Sequence, residues 1–151
     1  MKSPKTQSLL TALLLTSAFA WAHDDATLDK LKPPNGGQLR AAGIYHFELV
    51  VAPPAANGKS APVSVYLTDH AGTKIASAGA TGSVTILSGA RKTSITLQPD
   101  GDNRMKGTGD YQSTADMKAI VSVALPGKAA EQVRFTPSVA VAADGHGKHH
   151  P

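Results

Sequence analysis

The 151-residue chain contains no cysteine. In an oxidising compartment such a chain cannot be stapled by disulfides, so its fold must be held by its own core, which about 100 ordered residues can supply unaided. The same absence excludes thiolate zinc sites, iron–sulfur clusters and thiol catalysis. Any metal must therefore be held by histidine, carboxylate, methionine or backbone ligands. Nothing in the chain approaches the roughly 18 consecutive apolar residues that cross a bilayer, so no membrane span is expected in the mature protein. There is also no G-x-S-x-G elbow, no H-E-x-x-H helix and no phosphate-cradling glycine loop, and the chain reads as non-enzymatic.

What is present begins with an export signal. Met1–Gln7 carries Lys2 and Lys5, and Ser8–Ala20 is an apolar run without charge. Residues 1–22 are accordingly read as a secretory signal peptide, so the mature protein is expected to be exported. Two sites satisfy the small-x-small rule: Ala18-Phe19-Ala20 would release a chain starting at Trp21, and Ala20-Trp21-Ala22 one starting at His23. Cleavage after Ala22 is favoured and leaves 129 of the 151 residues. It removes Lys2 and Lys5, so that thirteen basic residues face eleven acidic ones, a charge of +2 with histidine neutral. The basic character of the whole chain thus owes much to the discarded segment, and a nucleic-acid partner loses its electrostatic support.

Residues 23–35 are polar, end in Pro33-Pro34 and suit an extended arm, within which Ala26–Leu31 could form one or two helical turns. Short alternating runs follow. In Ile44–Val51 the odd positions are Tyr45, Phe47, Leu49 and Val51 while the even ones include His46 and Glu48, the period of a half-buried strand. Val63, Val65 and Leu67 alternate likewise. Further strands are expected at residues 74–77, 83–88, 92–98, 104–107, 118–125 and 132–136, divided by Gly89, by Pro99-Asp100-Gly101-Asp102, by Gly107-Thr108-Gly109 and by Pro126-Gly127. Seven to nine short strands pack most economically as an all-β, antiparallel, immunoglobulin-like β-sandwich over residues 36–137, with a small barrel as the alternative. The expected core is Tyr45, Phe47, Leu49, Val51, Val63, Val65, Leu67, Val84, Ile86, Ile95, Leu97, Val121, Val123, Leu125, Val133 and Phe135. Residues 138–151 read as a flexible, histidine-containing tail.

Four of the six histidines lie at the ends, His23 and then His146, His149 and His150. A free amine at His23 would chelate a metal together with its own imidazole. Were the chain to start at Trp21, the amine, two amides and the third-position imidazole would form the square-planar nitrogen set that suits Cu(II) or Ni(II). The three tail imidazoles can share one ion. On the strand, His46 and Glu48 point the same way and could add to a site, although a solvated strand face is the plainer reading. His70, before Ala71-Gly72, reads as a turn residue with Asp69 beside it. Asp100-Gly101-Asp102-Asn103 lacks the later ligands of a calcium loop and reads as a tight turn. Met105 and Met117 read as packing or surface residues rather than Cu(I) ligands.

Asn35-Gly36-Gly37-Gln38-Leu39, Tyr45-His46-Phe47-Glu48-Leu49-Val50 and Val65-Tyr66-Leu67-Thr68-Asp69-His70 together form a pattern. It resembles small exported proteins, and the related periplasmic domain of heavy-metal efflux adaptor subunits of the resistance-nodulation-division type, which carry His-Gly-Gly before such a strand. The likeness continues through Leu97–Arg104 and Pro126-Gly127-Lys128 to Arg134-Phe135 and covers about residues 33–137. It implies an all-β periplasmic domain tied to copper, zinc, nickel or cobalt handling. Asn35 stands where that pattern has histidine, which removes an imidazole and shifts weight to His23, His46 and the tail. The expectation is a periplasmic protein that holds Cu(II), Ni(II) or Zn(II), buffering the ion or delivering it to an efflux system. The alternative is a metal-independent module that docks on an efflux adaptor or another envelope partner.

Overall fold

Alternation decides most of the architecture. A computed structural model describes residues 25–53 and 58–137. One helical turn, α1 (Asp25–Leu28), precedes eight strands: β1 (Gln38–Ala42), β2 (Tyr45–Val51), β3 (Gly58–Asp69), β4 (Thr81–Ser88), β5 (Arg91–Pro99), β6 (Arg104–Tyr111), β7 (Lys118–Ala124) and β8 (Glu131–Phe135). All pairings are antiparallel, in the order β1-β2-β3-β6-β5-β4-β7-β8. The all-β antiparallel expectation therefore holds. Its two leaves, β1-β2-β3-β6 and β5-β4-β7-β8, are continuous: β5 pairs with β4 from Arg91 to Leu97 but with β6 only at Gln98 and Pro99. The outer strands β1 and β8 lie against each other, and Thr136 N–H donates to Gln38 Oε1 at 2.8 Å. The result is one curled sheet, nearly closed into a barrel.

Two glycines make the corner possible. On β6 the inward positions are Met105, Gly107, Gly109 and Tyr111, paired in register with Val65, Val63, Ala61 and Gly58 of β3. Ile95 of β5 occupies the space left by the two missing side chains. A Cβ on Gly107 would stand 2.5 Å from Thr96 O and 2.6 Å from Ile95 Cγ2, and one on Gly109 would stand 2.5 Å from Ile95 Cδ1. Gly107-Thr108-Gly109, which reads as a strand break in sequence, is thus a strand interior where another strand approaches closely.

The core joins Phe47, Leu49, Val63, Val65 and Leu67 of one leaf to Val84, Ile86, Ile95, Leu97, Val121, Val123, Val133 and Phe135 of the other. Tyr45, Val51 and Leu125 are only partly buried against it. Met105, Tyr111 and Met117 complete it, fully buried. Tyr111 is also a polar tie, since its hydroxyl donates to Pro62 O and accepts from Ala52 N–H at 2.8 Å. Desolvation pushes its phenol pKa up.

Beyond β6, other stretches depart from expectation, and β3 starts at Gly58, ahead of the Val63 alternation. Residues 74–77 form no strand: Lys74 makes a single bridge with Thr68, and the backbone of Ile75 and Ser77 bonds to Leu67 and Asp102. β1 lacks an apolar alternation because Arg40 occupies an inward position, opposite Phe47. Its side chain is only 7% exposed, and the guanidinium is held by Asp29 Oδ1 at 2.6 Å, Asp25 Oδ1 at 3.7 Å and its neighbour Leu39 O at 2.8 Å. This fastens α1, with Leu28 buried beneath it, to β1.

Gly107→Ala must force β5 from β6, and urea unfolding is expected to show a loss of about 1–3 kcal/mol, as for other overpacked interiors; unchanged stability would refute the corner assignment. The Arg40 hydrogen bond holds the Asp29 carboxyl below the usual carboxylate range. A depressed folded pKa stabilises the protein above the unfolded value of about 3.9 and is lost as pH falls through the folded one. The melting-temperature gap between the parent and Asp29→Asn is therefore expected to be widest near neutrality and to shrink as the pH falls below about 3.9.

Candidate functional site

The face of β2 opposite the core carries His46 and Glu48, as the alternation requires. Register places them in two cross-strand rows, Ala41–His46–Thr68 and Leu39–Glu48–Tyr66–Arg104. Side chains directly opposite one another on an antiparallel ladder share a face, so each row is a line of neighbours. This face is not solvated at β2. His46 is 8% exposed and Glu48 2%.

The segment before β1 covers it, and Glu48 holds that segment down. Its Oε1 accepts the backbone N–H groups of Asn35 and Gly37, each at 2.9 Å, and its Oε2 accepts Asn35 Nδ2 at 2.8 Å. Both carboxylate oxygens are thereby committed to the Asn35–Gly37 turn. The turn sits so close to β2 that a Cβ on Gly37 would stand 2.2 Å from Leu49 O. Asn35 belongs to this clamp as a hydrogen-bond donor through both its backbone N–H and its side-chain amide.

A second turn closes over His46 from the other side. After β3, Asp69 Oδ1 accepts the N–H groups of Ala71 and Thr73, both at 2.8 Å, and Gly72 takes φ +81°. These hydrogen bonds, Thr73 foremost, keep the Asp69 carboxyl below its ordinary pKa. His70 is indeed a turn residue, yet the turn lays its ring on that of His46, with centroids 4.6 Å apart and planes 28° from parallel. Its Nε2 is 3.2 Å from Gly43 O in the β1–β2 turn. In the tautomer that donates this bond, Nδ1 carries the ring's lone pair.

Between the two turns lies a cleft of about 540 Å³ lined by Leu31, Pro34, Asn35, Leu39, His46, Glu48, Tyr66, Thr68, His70, Ala71, Gly72, Lys74 and Asn103. Lys74 pairs with Asp102 at 3.2 Å. Asn103 is fixed by its own bond, Nδ2 to Leu67 O at 2.9 Å, and Asp100–Asn103 is the tight turn its composition suggests, closed by Asp100 N–H donating to Arg104 O at 2.8 Å. Of the residues expected to hold a metal, the structure thus puts His46 and Glu48 in one cleft. His23, His146, His149 and His150 lie outside the described residues. Among the described residues no three His, Asp or Glu side chains are grouped to hold one ion. The residue that spacing missed is His70. Pairing Tyr45 with Asp69 would have revealed it, but the connection between β2 and β3 conceals that register.

Comparison of the chain with models of protein families, with characterised proteins and with solved structures gives no match. No helix among the described residues is long and apolar enough to cross a membrane.

Glu48→Ala removes an acceptor from two backbone N–H groups, and the expected cost is about 1–3 kcal/mol of stability with faster amide exchange at Asn35 and Gly37. Glu48→Gln keeps an acceptor oxygen and should fall between this variant and the parent. Exchange rates unaltered in Glu48→Ala would show that the turn is held by something else.

Proposed function

We propose that the protein is exported to the periplasm, holds a divalent transition metal there, and buffers it or passes it to an efflux system. The observation that carries this reading is the contact between His46 and His70, two imidazoles from neighbouring strand ends facing an open cleft. His23, His146, His149 and His150, which lie outside the described residues, are further candidate donors. With nitrogen and oxygen ligands alone, affinity order favours copper, and nickel, zinc and cobalt are the other ions that suit imidazole. Binding and transfer ask for no catalytic group. The export signal, the six histidines and the resemblance to domains of efflux adaptors agree with this role.

Titration calorimetry of the exported chain with Cu(II), Ni(II) and Zn(II) tests it. Cu(II) is expected to bind with a Kd of about micromolar or tighter, with Ni(II) and Zn(II) weaker. Absence of any binding tighter than about millimolar would overturn the metal reading and leave the docking module in its place.

A further inference from the structure

We propose that His46 and His70 form a metal site by themselves, independent of the terminal histidines, which takes a divalent ion when the His70 ring swings off His46. This inference rests on the metal-binding reading and assigns it a place in the fold. An ion bound by two imidazoles lies near the plane of each ring, about 2.0–2.1 Å from the ligating nitrogen. Two rings stacked within 28° of parallel at 4.6 Å do not both aim at one point, so one of them must turn.

The surroundings decide which. His46 is wedged into the floor of the cleft between the covering turn and the sheet, at 8% exposure. His70 is exposed on the Asp69–Thr73 turn, and its contact with Gly43 O, at 3.2 Å, is at the long end for a hydrogen bond. A rotation of the His70 side chain frees the outer side of His46 and brings a second nitrogen to the same ion. Water and the Thr68 hydroxyl, opposite His46 in register, are available to fill the remaining positions. Lys74, the cation that lines the cleft, is turned to Asp102.

The class of ion follows from what the cleft lacks. Met105 and Met117 are sealed in the core and there is no cysteine, so the described donors within reach are nitrogen and oxygen. That set matches Cu(II), Ni(II) or Zn(II) and offers Cu(I) no thiolate or thioether.

The test uses the full exported chain with His23→Ala, His146→Ala, His149→Ala and His150→Ala combined, which leaves His46 and His70 as its histidines. Cu(II) is added and followed by calorimetry and electron paramagnetic resonance, with circular dichroism to verify the fold. One Cu(II) per chain, with hyperfine structure from two imidazole nitrogens, is expected. Adding His70→Ala, an exposed change, should weaken binding by about tenfold or more. Should the fourfold variant bind nothing while the parent binds Cu(II), the pair is not a site and the metal reading stands on the terminal histidines alone. Copper bound equally well after His70→Ala also overturns the inference, and a parent that binds no metal overturns both readings together.

Discussion

The carboxylate of Glu48 is the contact on which the arrangement around the cleft depends. A carboxylate buried beside a strand must have its lone pairs met, or its desolvation would work against folding. Three N–H donors from Asn35 and Gly37 meet them. The consequence is geometric. The chain ahead of β1 is drawn across the outer face of β2, Leu31 and Pro34 become a wall, and His46 changes from a surface residue into a cleft floor. Arg40 does the matching work on the opposite face, where Asp25 and Asp29 neutralise the guanidinium of a buried arginine and so pin α1. A short segment with little core of its own is thus held by two charged anchors, one on each face of the β1–β2 hairpin.

Where apolar residues alternate with polar ones, the strands could be read from the chain. β2, β4, β5, β7 and β8 begin and end within two residues of their expected limits, because one face of each packs on the core and the other does not. The failures share a cause. β1 reads Gln38-Leu39-Arg40-Ala41-Ala42, with no β-branched or aromatic residue and a charge on its inward side, and it exists because β2 offers it a ladder. Glycines that look like punctuation in β6 are there to admit Ile95. Tertiary neighbours override local pattern in both cases.

The candidate site divides in the same way. That His46 and Glu48 share a face follows from a period of two, and this the chain discloses. That Glu48 is spent on a turn, that His46 is covered, and that His70 lies on it depend on contacts between segments 11 to 24 residues apart, which no periodicity encodes. A carboxylate two residues from a histidine looks like a ligand in sequence. In the fold it is the reason the histidine is sheltered.

This division of labour bears on what a site here can do. A pair of donors both locked on strands would bind tightly and release slowly, since preorganisation removes the ordering cost of binding. A pair in which His46 is fixed by the Glu48 clamp and His70 rides on an exposed turn spends part of its binding energy on moving one ring. Affinity is lowered and exchange is eased. On the proposed reading that is the property a carrier needs, because an ion must leave for the next protein as readily as it arrives. The turn that carries His70 is itself firmly built through Asp69 and Gly72, so the motion required is confined to one side chain. The barrel need not open, and the core that makes up for the missing disulfides is left undisturbed.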